Sequence, residues 1–137
     1  MRNRYLRNKD MIDQNKLDEL TIIGLGGVGS SLVINAAIMG FKKIHVWDFD
    51  NLEEHNLSTT MYPESCLGKP KTSAAKSVAN YFNDTCKVIT HNEAWTPDKP
   101  LTNKVMMGPD NMEVRHAVWS TWKDMNERIF LIDMRMG

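Results

Sequence analysis

Residues 21–31, TIIGLGGVGSS, form the stretch of the sequence that decides the fold. A short apolar run rich in β-branched residues leads into a turn whose glycines are Gly24, Gly26, Gly27 and Gly29. This order is typical of a strand, a tight turn and the start of a helix. Because glycine has no Cβ, backbone N–H groups at the helix N-terminus can approach a phosphate closely, so the turn predicts a nucleotide site. Close packing of a helix on a strand uses glycines in the same way, and that interpretation stays open.

The sequence that follows the turn favours a second strand parallel to the first. Residues 28–39 are small and apolar, and Gly40 stands where a left-handed helix cap is expected. Residues 43–48 have the pattern of a strand, and a strand, helix and strand of these lengths form a right-handed crossover. Asp48 and Asp50 then lie at the carboxyl end of the second strand, where open parallel sheets bind ligands. Asp48 also lies close to the roughly 20-residue offset expected for an acidic residue that binds ribose.

The remainder of the chain alternates predicted helices and strands. We expect a short amphipathic helix at 11–20, a loop with one helical turn at 51–68, helices at 69–83 and from 112 onward, and strands at 87–91, 104–107 and 128–134. The predicted fold class is α/β, a Rossmann-like, doubly wound, mostly parallel sheet of about five strands with flanking helices. Residues 1–137 are expected to form a single nucleotide-binding domain, because no internal linker divides them.

Charge and composition argue against some classes of partner. Lys and Arg total 17, as do Asp and Glu, so the formal net charge is +0 and nothing favours binding to nucleic acid or acidic membranes. No apolar run approaches the roughly 18 residues that a membrane span needs, so no membrane contact is expected. Cys66 and Cys86 form no Cys-X-X-Cys pair, so both are expected to be free thiols, and a cytoplasmic location is expected.

Several short motifs, in order along the chain, resemble those of the E1-like activating enzymes, the superfamily of ThiF, MoeB and ubiquitin-activating enzymes. Each motif is common alone, whereas the series is specific, and it covers nearly the whole chain. The motifs are Arg4, Tyr5, Leu6 and Arg7; Gln14 with Lys16 and Leu17; the glycine turn; Asp48, Phe49 and Asp50; Asn56 and Leu57; Gly68, Lys69, Pro70 and Lys71; and Asp110 and Asn111 with Arg115.

The resemblance implies an activity and a partner. Enzymes of this superfamily bind ATP with Mg²⁺ and adenylate the C-terminal glycine carboxylate of a ubiquitin-like or sulfur-carrier protein. It also implies a homodimer, or a heterodimer with another E1-like chain. Because the adenylation unit of the superfamily continues beyond this length, the chain is expected to be the N-terminal part of a longer unit.

The resemblance further implies a role for each matching residue. Asp48 would contact ribose hydroxyls, while Asn56 and Lys71 would contact phosphates. Asp110 would help to hold Mg²⁺, which prefers oxygen ligands. Arg7 would cross a dimer interface to the partner's ATP, so Lys71, Asp110 and Arg7 are the expected catalytic residues. The full set of expected nucleotide-binding residues is Gly24, Gly26, Gly27, Gly29, Asp48, Asp50, Asn56 and Lys71.

Simpler explanations exist for three of these residues. Asp110 and its neighbour Asn111 are both suited to cap the helix that begins near residue 112, so Asp110 could be a cap alone. Lys71 could be a solvated lysine at a helix end, although its charge there opposes the helix dipole unless an anion lies nearby. Arg7 could belong to a frayed basic terminus.

Two other functions remain open. The arginine that usually follows the Asn-Leu motif in the superfamily is replaced by Thr59, which removes a cation from the phosphates. This replacement favours a noncatalytic E1-like module that binds a nucleotide or a partner. A dinucleotide-binding domain of a dehydrogenase is the third hypothesis, and the Asn-Leu, Gly-Lys-Pro-Lys and Asp-Asn motifs argue against it.

Overall fold

The computed structural model describes residues 4–134, and in it the chain forms one five-stranded sheet with all strands parallel. The strands follow the order β3-β2-β1-β4-β5. The elements are β1 (Glu19–Ile23), α1 (Gly27–Met39), β2 (Lys43–Trp47), α2 (Lys71–Phe82), β3 (Lys87–His91), β4 (Lys104–Met107), α3 (Met112–Trp122) and β5 (Phe130–Asp133), with short 3-10 helices at Gln14–Lys16, Glu54–Asn56 and Glu64–Cys66.

The predicted α/β, doubly wound architecture is confirmed. β1 is the central strand, and its residues 20–23 are all buried. It pairs with β2, where Thr21 lies opposite His45, and with β4, where Thr21 lies opposite Val105. The strand order reverses between these two pairings, so the carboxyl end of β1 is the switch point at which such sheets bind ligands.

Two apolar clusters hold the sheet and its helices together. The larger one joins α1 and α2 to the sheet, and the smaller one contains Val118 of α3. Trp95 also belongs to the smaller cluster, although it comes from the connection between β3 and β4. That connection contains no helix, and the indole N–H of Trp95 donates to the carbonyl of Pro100 at 3.1 Å. A buried tryptophan thus fixes this connection to the smaller cluster.

The helix predicted at 11–20 is wrong. The chain forms turns up to Met11 and a single 3-10 turn at Gln14–Lys16, and Glu19 already belongs to β1. The apolar residues at these positions serve different elements: Leu17 is buried in the core, whereas Met11 is 84% exposed. The apparent helical spacing of the apolar residues therefore ran across the 3-10 turn and the start of β1, and it did not correspond to a helix.

The structure confirms the expectations for Gly40 and for the two cysteines. Gly40 ends α1 in the left-handed conformation, with φ of 110°, as its position predicted. Cys66 and Cys86 are free and buried, as expected, and burial raises the pKa of the Cys86 thiol to about 11. Within residues 4–134, no helix is both long and apolar enough to cross a membrane.

Candidate functional site

A cleft opens at the switch point, between the carboxyl ends of β1, β2 and β4. Six of the residues that the sequence predicts for the nucleotide site line it. They come from the glycine turn, the loop after β2, the first turn of α2 and the turn before α3. These six residues are Gly24, Gly26, Asp48, Asp50, Lys71 and Asp110.

The glycines of the turn meet different surroundings. A Cβ on Gly29 would lie 1.8 Å from the carbonyl oxygen of Gly24, so α1 packs on the end of β1 at a distance that only glycine permits. A Cβ on Gly26 would have nothing within 4 Å, and Gly26 lines the cleft. Close packing therefore explains Gly29, whereas Gly26 leaves an open approach for a ligand.

The N-terminus of α1 faces this open approach without a side-chain cap. The helix begins at Gly27, and its N-cap residue is Gly26, which has no side chain to accept a hydrogen bond from the first turn. Unpaired N–H groups and the positive end of the helix dipole make such a terminus suited to a phosphate.

Asp48 joins the two backbone segments that form one side of the cleft. Its Oδ2 accepts a hydrogen bond of 2.9 Å from the N–H of Leu25, in the glycine turn. Its Oδ1 accepts one of 2.8 Å from the N–H of Asp50, in the loop after β2. Both oxygens keep further lone pairs for a ligand hydroxyl, so this arrangement is compatible with ribose contact.

Lys71 is buried, which contradicts the alternative of a solvated lysine. The residue is 8% exposed and begins α2. Its Nζ lies 3.8 Å from Oδ2 of Asp50, and its N–H donates to the Asp50 carbonyl at 2.9 Å. Asp50 is the anion that offsets a lysine at a helix N-terminus, and both side chains line the cleft.

The structure separates Asp110 from its neighbour. Asn111 is the N-cap of α3, and its side-chain oxygen accepts from the N–H of Glu113 at 2.7 Å. Asp110 is exposed in the cleft and is not the cap. No group of three or more His, Cys, Asp or Glu suited to a metal occurs among the described residues. Mg²⁺ is often bound by only one or two carboxylates together with the phosphates of a substrate. The single carboxylate of Asp110 is compatible with such a site.

Asn56 does not line the cleft. It belongs to a 3-10 turn, where its Oδ1 accepts from the N–H of Glu53 at 2.9 Å. The loop that carries it lies against the glycine turn, because a Cβ on Gly27 would meet the Thr59 carbonyl oxygen at 2.7 Å. The structure therefore places Thr59, the residue that replaces the expected arginine, beside the start of α1.

Tyr62 and Ser30, which the sequence did not indicate, hold this loop in place. The hydroxyl of Tyr62 donates to the Leu25 carbonyl at 2.7 Å, and burial raises the pKa of Tyr62. The Oγ of Ser30 accepts from the N–H of Met61 at 3.1 Å and donates to the Gly27 carbonyl at 3.0 Å. The segment 51–68 shows no hydrophobic period, so no sequence signal pointed to Tyr62.

A polar chain on β1, β2 and β3 ends beside the cleft and was also missed. Nε2 of His45 lies 2.5 Å from a Glu19 oxygen, and its Nδ1 lies 3.2 Å from Nε2 of His91. The His91 ring stacks on Trp47, with centroids 3.9 Å apart, and Trp47 lines the cleft. Burial lowers the pKa of His91, and His45 lowers it further, while the Glu93 charge opposes both effects.

Arg7 lies away from the cleft. It is exposed within turns at the N-terminus, and neighbouring Tyr5 packs against Gly40, at the C-terminal end of α1. The cleft adjoins the N-terminal end of that helix. Thirteen helical residues at 1.5 Å per residue place the two ends about 20 Å apart. Within one chain, the structure does not bring Arg7 to the other predicted site residues.

Known structures share this fold. TcdA of E. coli, a tRNA N6-threonylcarbamoyladenosine dehydratase solved in complex with ATP, has a TM-score of 0.83 at 19% identity, over 96% of this chain and 58% of that chain. MccB of E. coli, solved with ATP, has a TM-score of 0.71 at 23% identity, over 82% of this chain and 39% of that chain.

Curated relatives are longer than this chain. The NEDD8-activating enzyme E1 catalytic subunit of Caenorhabditis elegans is 35% identical over 75 residues, which cover 54% of this chain and 17% of the relative. Adenylyltransferase and sulfurtransferase MOCS3-1 of Zea mays is 26% identical over 113 residues, which cover 77% of this chain and 24% of the relative. The alignments thus span only about a fifth of the length of these relatives. A family model described as the ThiF family matches residues 2–125, and the chain therefore belongs to the ThiF family.

Proposed function

We propose that this chain binds ATP with Mg²⁺ and adenylates the C-terminal carboxylate of a ubiquitin-like or sulfur-carrier protein. The observation that carries the proposal is the convergence of Gly26, Asp48, Lys71 and Asp110 on one cleft beside an uncapped helix N-terminus. The names of the relatives support the class of reaction, since they include an activating enzyme and an adenylyltransferase. The two similar solved structures that contain ATP support the choice of nucleotide.

The chemistry required is attack of a carboxylate on the α-phosphorus of ATP, with pyrophosphate as the leaving group. Charge neutralisation matters more than proton transfer in such a step. The N–H groups at the start of α1 and the Lys71 ammonium would stabilise negative charge on the phosphates, and Asp48 would fix the ribose. Asp110 would hold Mg²⁺, which supplies further positive charge when bound.

We also propose that Arg7 acts in a dimer, on the ATP of a second chain, because the structure places it far from its own cleft. The expected partners are thus a carrier protein and another E1-like chain, either a second copy or a homologue. Asn56, which does not line the cleft, would contact the phosphates after its loop has moved. We further propose that the whole protein has this adenylating activity and that it acts in the cytoplasm.

Calorimetric titration tests the nucleotide. ATP with Mg²⁺ is expected to bind more tightly than NAD, and the reverse order would support a dehydrogenase domain instead. The Asp110→Ala substitution should weaken Mg²⁺-dependent ATP binding, whereas Asp124→Ala, at an exposed aspartate beyond α3, should leave it unchanged. Equal affinities for both variants would remove Asp110 from the site.

Pyrophosphate exchange tests catalysis. The exchange rate of the full natural chain should rise when a ubiquitin-like or sulfur-carrier protein ending in glycine is added. ATP binding without exchange would favour a second candidate, a noncatalytic E1-like module. The observation that favours this candidate is Thr59, which stands beside the start of α1 where the superfamily would place an arginine.

A further inference from the structure

The peptide that joins Leu25 to Gly26 lies at the centre of the glycine turn, and three of the four backbone polar groups of these two residues have partners. The N–H of Leu25 donates to Oδ2 of Asp48 at 2.9 Å. The carbonyl of Gly26 accepts from the N–H of Ser30 at 2.8 Å, and the carbonyl of Leu25 accepts from the Tyr62 hydroxyl at 2.7 Å. Within the part of the chain that the structure describes, the remaining group, the N–H of Gly26, has no hydrogen-bond partner.

Tyr62 holds this peptide from the side opposite the cleft. The residue is 4% exposed and belongs to the larger apolar cluster, whereas both Leu25 and Gly26 line the cleft. The carbonyl and the N–H of one trans peptide point in opposite directions. Because the Leu25 carbonyl points at the buried hydroxyl, the N–H of Gly26 points away from the core and towards the cleft.

Glycine at position 26 makes this orientation easy to lose. Rotation of the peptide through half a turn would take φ of Gly26 from −77° to a positive value, which glycine adopts as readily as a negative one. The rotated peptide would direct a carbonyl oxygen, instead of an N–H donor, at a phosphate. The hydrogen bond from Tyr62 opposes this rotation, because its loss would leave a buried hydroxyl without an acceptor.

The surroundings of Tyr62 keep its hydroxyl in place as a donor. Burial raises the pKa of Tyr62, and the charge of Asp48 raises it further, so the hydroxyl keeps its proton at neutral pH. The N–H of Met61 donates to Oγ of Ser30 at 3.1 Å, which fixes the loop to α1 one residue before the tyrosine. The hydroxyl therefore approaches the glycine turn from a fixed position.

We propose that Tyr62 is a positioning residue, which holds the peptide between Leu25 and Gly26 so that the N–H of Gly26 donates to a phosphate of the bound nucleotide. This inference rests on the proposed function, because it concerns the same ATP site. Tyr62 does not line the cleft, so it acts on the nucleotide through the peptide alone. The N–H of Gly26 then adds one oriented donor to those at the start of α1.

Calorimetric titration of the full chain with ATP and Mg²⁺ measures the contribution of Tyr62. Tyr62→Phe keeps the ring and removes only the hydroxyl, so ATP affinity should fall by about tenfold, as expected for one lost hydrogen bond to a charged group. Tyr81→Phe is the matched control, because Tyr81 is 84% exposed on α2, and its ATP affinity should equal that of the wild type. If the wild-type chain binds ATP and Tyr62→Phe binds it equally well, the inference is wrong while the proposed function stands. A wild-type chain that binds no ATP would overturn both.

The NMR signal of the Gly26 amide distinguishes a positioning role from a merely structural one. In the isotope-labelled wild-type chain, saturation with ATP and Mg²⁺ should shift the Gly26 amide proton downfield, because its N–H gains a charged acceptor. In Tyr62→Phe at saturating ATP the same signal should shift less, while Tyr81→Phe should match the wild type. Absence of the downfield shift in the wild type, or an equal shift in Tyr62→Phe, would overturn the inference.

Discussion

The Oδ2 atom of Asp48 accepts a hydrogen bond of 2.9 Å from the backbone N–H of Leu25, so the end of β2 is joined directly to the glycine turn. The other carboxylate oxygen accepts from the N–H of Asp50. Asp48 therefore shapes the cleft, whatever it contributes to a ligand. A residue that the sequence marks for ribose contact also holds two loops of the protein in position.

The Asp48→Asn substitution tests this double role. A carboxamide has a single acceptor oxygen, so one of the two N–H groups must lose its partner. The free energy of unfolding should fall by about 1 kcal/mol, the net contribution of one hydrogen bond at a half-buried position, and ATP should bind more weakly. Urea denaturation and calorimetry measure the two effects. Asp124→Asn is the control, because Asp124 is exposed beyond α3 and does not line the cleft.

Two alanine substitutions should separate the glycines of the turn. Gly29→Ala places a Cβ against the Gly24 carbonyl and should destabilise the fold by about 1–3 kcal/mol or more, since backbone must move. Gly26→Ala meets no neighbour in the chain, so its loss of stability should be smaller while ATP affinity falls. Thermal unfolding and ATP titration of both variants measure this contrast. If Gly26→Ala bound ATP normally, the open approach at Gly26 would not be the route of the phosphates.

Restoring an arginine at position 59 should strengthen the site. The Thr59 carbonyl contacts the start of α1 through the backbone, so a new side chain there leaves that contact in place. Thr59→Arg should raise ATP affinity by roughly tenfold, in line with a hydrogen bond to a charged group. Thr59→Gln is the control for side-chain length without charge, and an equal gain in that variant would show that charge is not the cause. Exchange activity that appears only in Thr59→Arg would mean that the natural chain is noncatalytic.

The burial of His91, whose ring stacks on Trp47, should make the free energy of unfolding depend on pH. The pKa of His91 is lowered in the folded chain, chiefly by burial, so the unfolded chain binds more protons just below the ordinary histidine pKa of about 6.5. The stabilising contribution is therefore present above about pH 6.5 and is lost as the pH falls towards the folded pKa. The free energy of unfolding should fall over that interval.

The His91→Phe substitution checks this dependence. Phenylalanine keeps an aromatic ring against Trp47 but cannot bind a proton, so its free energy of unfolding should change less between pH 7.5 and 5.5 than that of the wild type. His116→Phe, at an exposed position on α3, provides the comparison. Parallel pH profiles for the wild type and His91→Phe would contradict the assignment.

The strands of the sheet could be predicted from the sequence because strands with apolar residues alternate with helices along the chain. Four of the five residues of β1 are buried, β2 alternates Ile44 and Val46 with polar residues, β3 contains the apolar pair Val88 and Ile89, and Gly40 marks the end of α1. Each of these features is local, so a single sequence suffices to recognise it. The helix predicted at 11–20 is wrong for a matching reason: its apolar positions belong to two elements, and only tertiary structure shows where one ends.

One part of the candidate site could be predicted from the sequence, namely the residues that directly follow the strands. Residues that follow parallel strands meet at one edge, so Asp48 and Asp110 could be placed together without coordinates. Two other contacts depend on the conformation of loops, which have no hydrophobic periodicity. They are the ion pair of Lys71 with Asp50 and the hydrogen bond from Tyr62 to Leu25. The resemblance placed Arg7 at another chain's ATP, and its distance from its own cleft depends on the docking of Tyr5 against Gly40, which no local sequence pattern indicates.

The pairing of the central strand, β1, also determines the order in which the parts of the chain can fold. Thr21 of β1 pairs with His45 nearby in the chain, but its other partner, Val105, follows much later. During synthesis, β1, β2 and β3 with their two helices can close the larger apolar cluster before β4 exists. The smaller cluster, which joins Ile23 and Trp47 to Val105 and Val118, must wait. The cleft thus lies between the part of the fold that can form first and the part that contains β4 and α3. We expect a nascent chain to bind ATP only after β4 and α3 have packed against that first part.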